Sequence, residues 1–261
     1  MSRLPLAGTR TVVTRARAQS GPLRAAIEAA GGVAFEFPCL AIEPNPSVTA
    51  AAALSLLDAS DAVVFVSPNA VRVWGELVGA QSPLSAKRVF AVGQGTARAL
   101  IDLGVDSSTP AACRETTEGL LALDYFRDAG PHETLLVRGI GGRERFAREM
   151  RDRGHPVHVL EVYRRVRPQV AASVRDDLHR QIDALDFVVL TSNAVADNFF
   201  GMIDPEAGER LRRDCCFVVV SERIAQTLAS RRIEHIAVSP GAGVDAIVAT
   251  IGEEVMRVQK R

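Results

Sequence analysis

The feature of this sequence that most constrains its fold is an internal repeat. Residues 11–16 (TVVTRA) resemble residues 134–139 (TLLVRG), and residues 61–71 (DAVVFVSPNAV) resemble residues 186–195 (DFVVLTSNAV). A third block, residues 90–100, resembles the segment that starts at residue 218. Matched blocks in the same order predict two similar halves. Two such halves leave a cleft between them, and small ligands bind in clefts.

Short apolar runs alternate along the chain with longer segments of helical pattern. The predicted strands cover residues 10–14, 62–66, 88–92, 134–137, 187–190 and 217–220. The predicted helices cover residues 22–30, 69–78, 96–103, 117–126, 142–153, 194–202, 224–229 and 244–255. Each of these runs is nearly all apolar, which is typical of parallel strands covered on both faces. The alternation therefore predicts an α/β fold with two doubly wound parallel-sheet domains.

Two extended, apolar segments interrupt this alternation, at residues 35–44 and 157–168, and each closes with a proline. We interpret them as paired strands that form a two-stranded β-ladder hinge between the domains. The predicted boundaries are 1–37 with 168–261 for a discontinuous first domain, 38–44 with 157–167 for the linker, and 45–156 for the second domain.

Composition excludes several classes of partner. The chain carries 31 basic and 31 acidic residues, so its net charge gives no field that favours nucleic acid. No apolar run approaches the ~18 residues of a membrane span, and the amino terminus does not resemble a secretory signal. The cysteines, Cys39, Cys113, Cys215 and Cys216, form no CxxC pair, so neither disulfides nor a metal site is expected. We expect a cytoplasmic monomer without nucleic-acid or membrane partners.

Polar residues follow the predicted strands at matched places in the two halves. Small polar residues at these places are common helix caps, and capping alone is one interpretation. The other is that hydroxyls and free N–H groups at the ends of parallel strands hold an anion in the cleft. The candidates are Ser67, Pro68, Asn69, Gly95, Thr96, Thr191, Ser192, Asn193 and Ser221.

Two arginines end the matched first strands. Arg15 and Arg138 should both project from the carboxyl edge of a sheet, and Arg138 is followed by a glycine-rich loop that contains Gly139, Gly141 and Arg143. Each arginine could form a surface salt bridge, but together they indicate a carboxylate or phosphate site. The glycine loops lack the full dinucleotide fingerprint, so a nucleotide-dependent enzyme is a weaker alternative.

Tyr163, one of two tyrosines, lies in the second predicted hinge strand. A tyrosine in an apolar strand usually serves packing. In the hinge of a two-domain binder, it could also donate a hydrogen bond to a ligand or a leaving group.

Taken together, these residues are similar to the uroporphyrinogen-III synthase family over nearly the whole chain. The resemblance is carried by several motifs in order, namely residues 11–15 (TVVTR), 65–71 (FVSPNAV), 92–100 (VGQGTARAL), 135–146 (LLVRGIGGRERF), 157–166 (VHVLEVYRRV) and 190–195 (LTSNAV).

The resemblance implies two α/β domains joined by a two-stranded ladder, and a lyase that needs no metal or organic cofactor. The family converts hydroxymethylbilane, a linear tetrapyrrole rich in carboxylates, with loss of its hydroxyl as water. It inverts the last pyrrole ring through a spiro intermediate and closes the macrocycle in haem biosynthesis. Closure without the enzyme gives the type I isomer. Transient contact with the preceding pathway enzyme, which supplies hydroxymethylbilane, is also expected.

The resemblance also implies roles for individual residues. Tyr163 stands at the position of the family's hinge tyrosine and is expected to form a hydrogen bond to the departing hydroxyl. The arginines and the helix starts named above are expected to hold the substrate carboxylates. The alternative function is a non-catalytic two-domain protein that binds or senses small anions.

Overall fold

The computed structural model of this chain describes residues 4–79, 83–107, 109, 116–127 and 132–259. Cys113 lies outside these residues. The chain divides into two compact units, the first formed by Met1–Ala41 with Val166–Arg261 and the second by Ile42–Arg165. Over the described ranges, no helix is both long enough and apolar enough to cross a membrane.

Strands and helices alternate along the described chain. The strands are β1 (Arg10–Val13), β2 (Val33–Glu36), β3 (Ala41–Pro44), β4 (Ala62–Phe65), β5 (Arg88–Ala91), β6 (Thr134–Gly139), β7 (Val157–Val166), β8 (Phe187–Leu190), β9 (Cys216–Val219) and β10 (Ile236–Val238). The helices are α1 (Arg17–Ala29), α2 (Ala50–Asp58), α3 (Pro68–Val78), α4 (Gln94–Asp102), α5 (Thr117–Leu121), α6 (Asp124–Arg127), α7 (Arg145–Asp152), α8 (Ala172–Gln181), α9 (Asn193–Met202), α10 (Pro205–Asp214), α11 (Glu222–Ala229) and α12 (Val244–Gln259).

The two sheets repeat one topology. The strand order is β10-β9-β8-β1-β2 in the first unit and β3-β7-β6-β4-β5 in the second. The matched sequence blocks place β1 with β6, β8 with β4, and β9 with β5. Four strands therefore follow the same order in both units, and each sheet has one further strand at an edge. The predicted α/β class with two parallel-dominated sheets is confirmed.

Both faces of each sheet are buried, which explains the continuous apolar runs of the strands. In β1, Val12 packs in the same core as Phe199, whereas the next residue, Val13, packs with Ile27 in a separate core. The side chains of β4 divide between two cores in the same way. This alternation is the pattern expected when helices cover a sheet on both sides.

The first helix begins earlier than the sequence predicts. The sequence pattern places Pro22 at the amino-terminal end of a helix, but α1 begins at Arg17 and Pro22 lies inside it. Proline has no N–H, so one hydrogen bond of the helix is lost at this position. The buried side chains Leu23 and Ile27 attach the helix to the sheet despite this loss.

The extended segment at residues 35–44 divides between the units. Its first part belongs to β2, at the edge of the first sheet, and its second part is β3, which lies beside β7 in the second sheet. The backbone N–H of Asn45 donates to the carbonyl of Val162, and its side-chain amide donates to the carbonyl of Glu161, each at 2.8 Å. The hinge role and the domain boundaries drawn from the sequence stay predictions.

Candidate active site

Four neighbouring strands of the second unit bring polar residues to one edge of the sheet. Strands β7, β6, β4 and β5 are adjacent and parallel, so their carboxyl ends meet at the same edge. Ser67 follows β4, Gly95 and Thr96 follow β5, Arg138 is the penultimate residue of β6, and Tyr163 lies near the end of β7.

Tyr163 makes polar contacts although its ring is buried. The side chain is 1% exposed, and its hydroxyl oxygen lies 3.2 Å from Oγ of Ser67. The same oxygen accepts a hydrogen bond from Nη2 of Arg165 at 3.1 Å, and the Arg165 guanidinium lies 5.4 Å from the centre of the ring. Ser67 also caps α3, because its Oγ accepts from the N–H of Ala70 at 3.2 Å.

The absence of a side chain at Gly139 makes room for the Tyr163 ring. The β6–β7 register shifts here, so that Arg138 pairs with Glu161 and Gly139 pairs with Tyr163, skipping one residue of β7. A Cβ atom at Gly139 would stand 2.5 Å from Cε2 and Cζ of the ring. Only a residue without a side chain lets the ring lie against β6 and reach Ser67.

Arg138 is buried and both of its terminal nitrogens are already used, whereas its Nε has no hydrogen-bond partner among the described residues. Its side chain is 7% exposed, and Nη2 donates to Glu161 at 3.0 Å and also to Glu144. Nη1 donates to the carbonyls of Gly142 and Arg143 at 3.1 and 3.2 Å. The guanidinium therefore holds the loop after β6 in place. The contact of Arg138 with substrate stays a prediction. The carboxylates of Glu144 and Glu161 already occupy the guanidinium, which weighs against that contact.

The remaining candidates of the second unit differ in exposure. Gly95 and Pro68 are exposed and Asn69 is half-buried, whereas Thr96 is buried and its hydroxyl donates to the carbonyl of Val92 at 3.0 Å. The Gly141 N–H donates to Oε1 of Glu161 at 3.3 Å. Arg143 is exposed, and no described residue accepts a hydrogen bond from its guanidinium.

Arg15, in the first unit, differs from Arg138 in having no acidic partner among the described residues. It is half-buried just after β1, and its one hydrogen bond to a described residue runs from Nη2 to the carbonyl of Ala242. Its Nε is buried without a partner, and no described carboxylate pairs with it. Burial lowers the pKa of Arg15. A carboxylate ligand would restore the partner that this cation lacks.

In the first unit, the helix starts carry polar groups at the carboxyl ends of β8 and β9. Oγ of Ser192 caps α9 by accepting from the N–H of Val195 at 3.1 Å, as Ser67 does in α3. Next to it, Oδ1 of Asn193 is buried without a hydrogen-bond partner among the described residues, and Thr191 is half-buried. Ser221 stands before α11 without a side-chain capping bond.

Two parts of this arrangement were missed in the sequence. One is the loop at residues 239–243 (SPGAG), which precedes α12 and supplies the Ala242 carbonyl that Arg15 contacts. Its glycine content just before a helix is the same signal that marked residues 139–142. The other is Arg165, two residues after Tyr163, where the period of a strand places both side chains on one face.

Among the residues that the structure describes, no group of three or more histidine, cysteine or acidic side chains is arranged to hold a metal ion.

The chain is similar in sequence to one family of proteins. The family model described as uroporphyrinogen-III synthase HemD matches residues 21–249. Uroporphyrinogen-III synthase of Escherichia coli (strain K12) is 27% identical over 249 residues, which cover 92% of this chain and 98% of the relative. The protein of the same name from Synechococcus elongatus is 26% identical over 218 residues, covering 80% of each chain.

Solved structures agree on the fold. The uroporphyrinogen-III synthetase of Helicobacter pylori 26695 has a TM-score of 0.62 at 14% identity, covering 96% of this chain and 99% of that one. A mutant uroporphyrinogen III synthase of the extremely thermophilic bacterium Thermus thermophilus has a TM-score of 0.57 at 17% identity, covering 97% and 100%.

Proposed function

The chain belongs to the uroporphyrinogen-III synthase family, and from this membership we propose how its residues carry out the cyclisation. It is a cyclising lyase of tetrapyrrole biosynthesis. The membership supports an enzyme and not the alternative of a non-catalytic anion-binding protein. Its substrate is hydroxymethylbilane, and its product is the macrocycle with the last ring inverted.

The first step is departure of the substrate hydroxyl. The pyrrole nitrogen supplies electrons as the C–O bond breaks, so a hydrogen bond to the departing oxygen suffices and a strong acid is not required. The resulting azafulvene cation is attacked by the substituted carbon of the last ring. The spiro intermediate then fragments and recloses, and the ring releases a proton.

The Tyr163–Ser67 hydroxyl pair supplies the hydrogen bond to the departing oxygen. The single observation that carries this assignment is the 3.2 Å contact between the two hydroxyls at the carboxyl edge of the second sheet. Gly139 supports this assignment, because the absence of a side chain at that position lets the Tyr163 ring reach Ser67.

Arg15 binds a substrate carboxylate. It is a half-buried cation with an unpartnered Nε and no acidic partner among the described residues. Exposed N–H groups near Gly95 and the polar groups at Thr191, Asn193 and Ser221 hold others. Each contact contributes about 1–3 kcal/mol of binding free energy, so the loss of one weakens binding without abolishing it. Arg138 organises the loop at residues 139–144.

The experiment adds purified protein to freshly made hydroxymethylbilane, oxidises the products, and separates type I from type III uroporphyrin. We expect mostly type III. The Tyr163→Phe variant should turn over about 100-fold more slowly because it loses the phenolic hydrogen bond. Tyr125→Phe is the matched control, because Tyr125 is the other tyrosine and packs on Phe90, outside the site.

Two results would count against the proposal. Type I product alone, at the uncatalysed rate and with folded protein, would favour a binding protein. Unchanged turnover and isomer ratio in Tyr163→Phe would remove Tyr163 from the mechanism and leave the cyclase assignment in place.

We also propose that the protein acts as a monomer in the cytoplasm and receives its substrate during brief contact with the preceding enzyme. The free thiols of Cys39, Cys215 and Cys216 fit a reducing compartment. Sedimentation equilibrium measures the oligomeric state directly.

A further inference from the structure

We infer that Arg165 is a positioning residue that fixes the direction of the Tyr163–Ser67 hydroxyl pair, so that Ser67 presents its proton to the departing hydroxyl. This rests on the proposed function of that pair. It assigns the direct contact with substrate to Ser67 and an indirect action to both Tyr163 and Arg165.

The direction follows first from the chemistry of arginine. A guanidinium has donors and no acceptor, so in its 3.1 Å contact with Tyr163 the phenolic oxygen accepts. The two side chains lie two residues apart on β7 and therefore on one face of the strand. The guanidinium also covers the ring at 5.4 Å, which fixes both partners.

Burial then decides between the two possible directions of the Tyr163–Ser67 hydrogen bond. If Ser67 donated, the Tyr163 oxygen would accept twice and its own proton would find no acceptor among the described residues, in a site that is 1% exposed. A buried donor left without a partner is costly. If Tyr163 donates, both the proton and the oxygen of its hydroxyl are satisfied.

The second arrangement leaves one proton free, on Ser67. Its oxygen then accepts from Tyr163 and from the N–H of Ala70, and its own O–H can turn to a ligand. Ser67 is half-buried, unlike Tyr163, so it is the hydroxyl of the pair that substrate can reach. The hydrogen bonds therefore run from Arg165 to Tyr163 to Ser67 and outward.

The hydrogen bonds from Arg165 to Tyr163 to Ser67 form a proton relay, and every proton in the step can be traced through it. As the C–O bond breaks, its electron pair stays on oxygen, which takes the Ser67 proton and leaves as water. Ser67 takes the Tyr163 proton, and the phenolate is paired with the Arg165 cation. The proton that the last ring releases on closure returns to the relay. Charge-assisted hydrogen bonds of this kind are stronger than neutral ones, so removing the cation weakens the whole relay.

The test compares Arg165→Met with Arg164→Met. Arg164 is the adjacent exposed arginine, paired with Glu43 at 2.8 Å, and is therefore a matched control. We expect Arg165→Met to lower kcat about tenfold with KM within about twofold of the parent, and Arg165→Lys to recover part of the loss because it keeps a charged donor. Arg164→Met should leave both constants unchanged. Circular dichroism and thermal unfolding establish that each variant is folded.

A double-mutant cycle with Tyr163→Phe separates positioning from other roles. If Arg165 acts through the phenolic hydroxyl, Arg165→Met should have no further effect on kcat in the Tyr163→Phe background. A similar loss in both backgrounds, or a rise in KM, would overturn the inference and make Arg165 a ligand of a substrate carboxylate. Unchanged kcat in Arg165→Met, with Tyr163→Phe and Ser67→Ala both impaired, would overturn it while the proposed function stands. Wild-type turnover in Tyr163→Phe would instead refute the proposed role of the hydroxyl pair.

Discussion

Replacement of Gly139 by alanine should damage both stability and turnover through one steric conflict. The added Cβ would stand 2.5 Å from Cε2 and Cζ of Tyr163 and 3.0 Å from Cε1. Non-bonded carbon atoms normally approach to about 3.5–4.0 Å, so the ring must retreat by about 1 Å. It is buried in a packed core, and overpacking of this kind costs about 1–3 kcal/mol of unfolding free energy.

The same retreat removes the hydroxyl from its partners. The contacts of Tyr163 with Ser67 and Arg165 are 3.2 and 3.1 Å, near the upper end of hydrogen-bonding distance. A displacement of about 1 Å breaks them, and misplacement on that scale can cost about 100-fold in rate. We therefore expect kcat for type III product to fall by one to two orders of magnitude.

Urea unfolding and the isomer assay measure the two effects. Gly21→Ala is the control, because that glycine lies in α1 with no neighbour within 4 Å of an added Cβ. It should gain up to about 1 kcal/mol from helix propensity. In a Tyr163→Leu background the conflicting ring atoms are absent, so Gly139→Ala should cost little stability there. A Gly139→Ala protein that unfolds at the parent's urea midpoint and keeps its turnover would refute the steric argument.

Three further predictions follow from other contacts. Arg15→Met should raise KM about tenfold and leave the isomer ratio unchanged, because one contact with a substrate carboxylate is lost. Steady-state kinetics measure KM, and an unaltered KM would contradict the role of Arg15. Burial, then the nearby His132, lowers the pKa of His155 below its ordinary 6.5, so the unfolded chain binds its proton more readily. Stability should therefore fall as the pH drops below about 6.5, with a gentler slope in His155→Phe, measured by urea unfolding at several pH values. Burial raises the pKa of Cys39 and raises that of Cys215 to about 12, so both thiols should resist iodoacetamide at pH 8 until the protein unfolds, as peptide mapping can establish.

Much of the fold was predictable because strands buried on both faces leave uniform apolar runs. Helix α2 (AAAALSLLD) shows the limit, since it lacks the polar stripe by which helices are recognised, although Thr49 caps it. The edge strand β10 is only three residues long, too short to stand out.

The sequence was enough to identify individual site residues, but not the residues with which they form hydrogen bonds and ion pairs. Ser67 and Ser192 were identified by position, and both cap helices at strand ends. Arg15 and Arg138 looked equivalent, yet the carboxylates of Glu144 and Glu161 meet only Arg138. Those partners come from a loop and a neighbouring strand, and spacing along the chain does not reveal such pairings.

The discontinuity of the first unit sets an order for folding on the ribosome. The second unit is one continuous segment and can complete its sheet once Arg165 has emerged. Strand β1 lies between β2 and β8, so one side of it stays unpaired until Phe187–Leu190 is made. About 150 residues separate β2 from β8, which corresponds to roughly 8–30 s of synthesis at about 5–20 residues per second. The exposed edge of β1 is then open to wrong pairing, and a nascent chain stalled before residue 187 should carry a folded second unit and an aggregation-prone amino terminus.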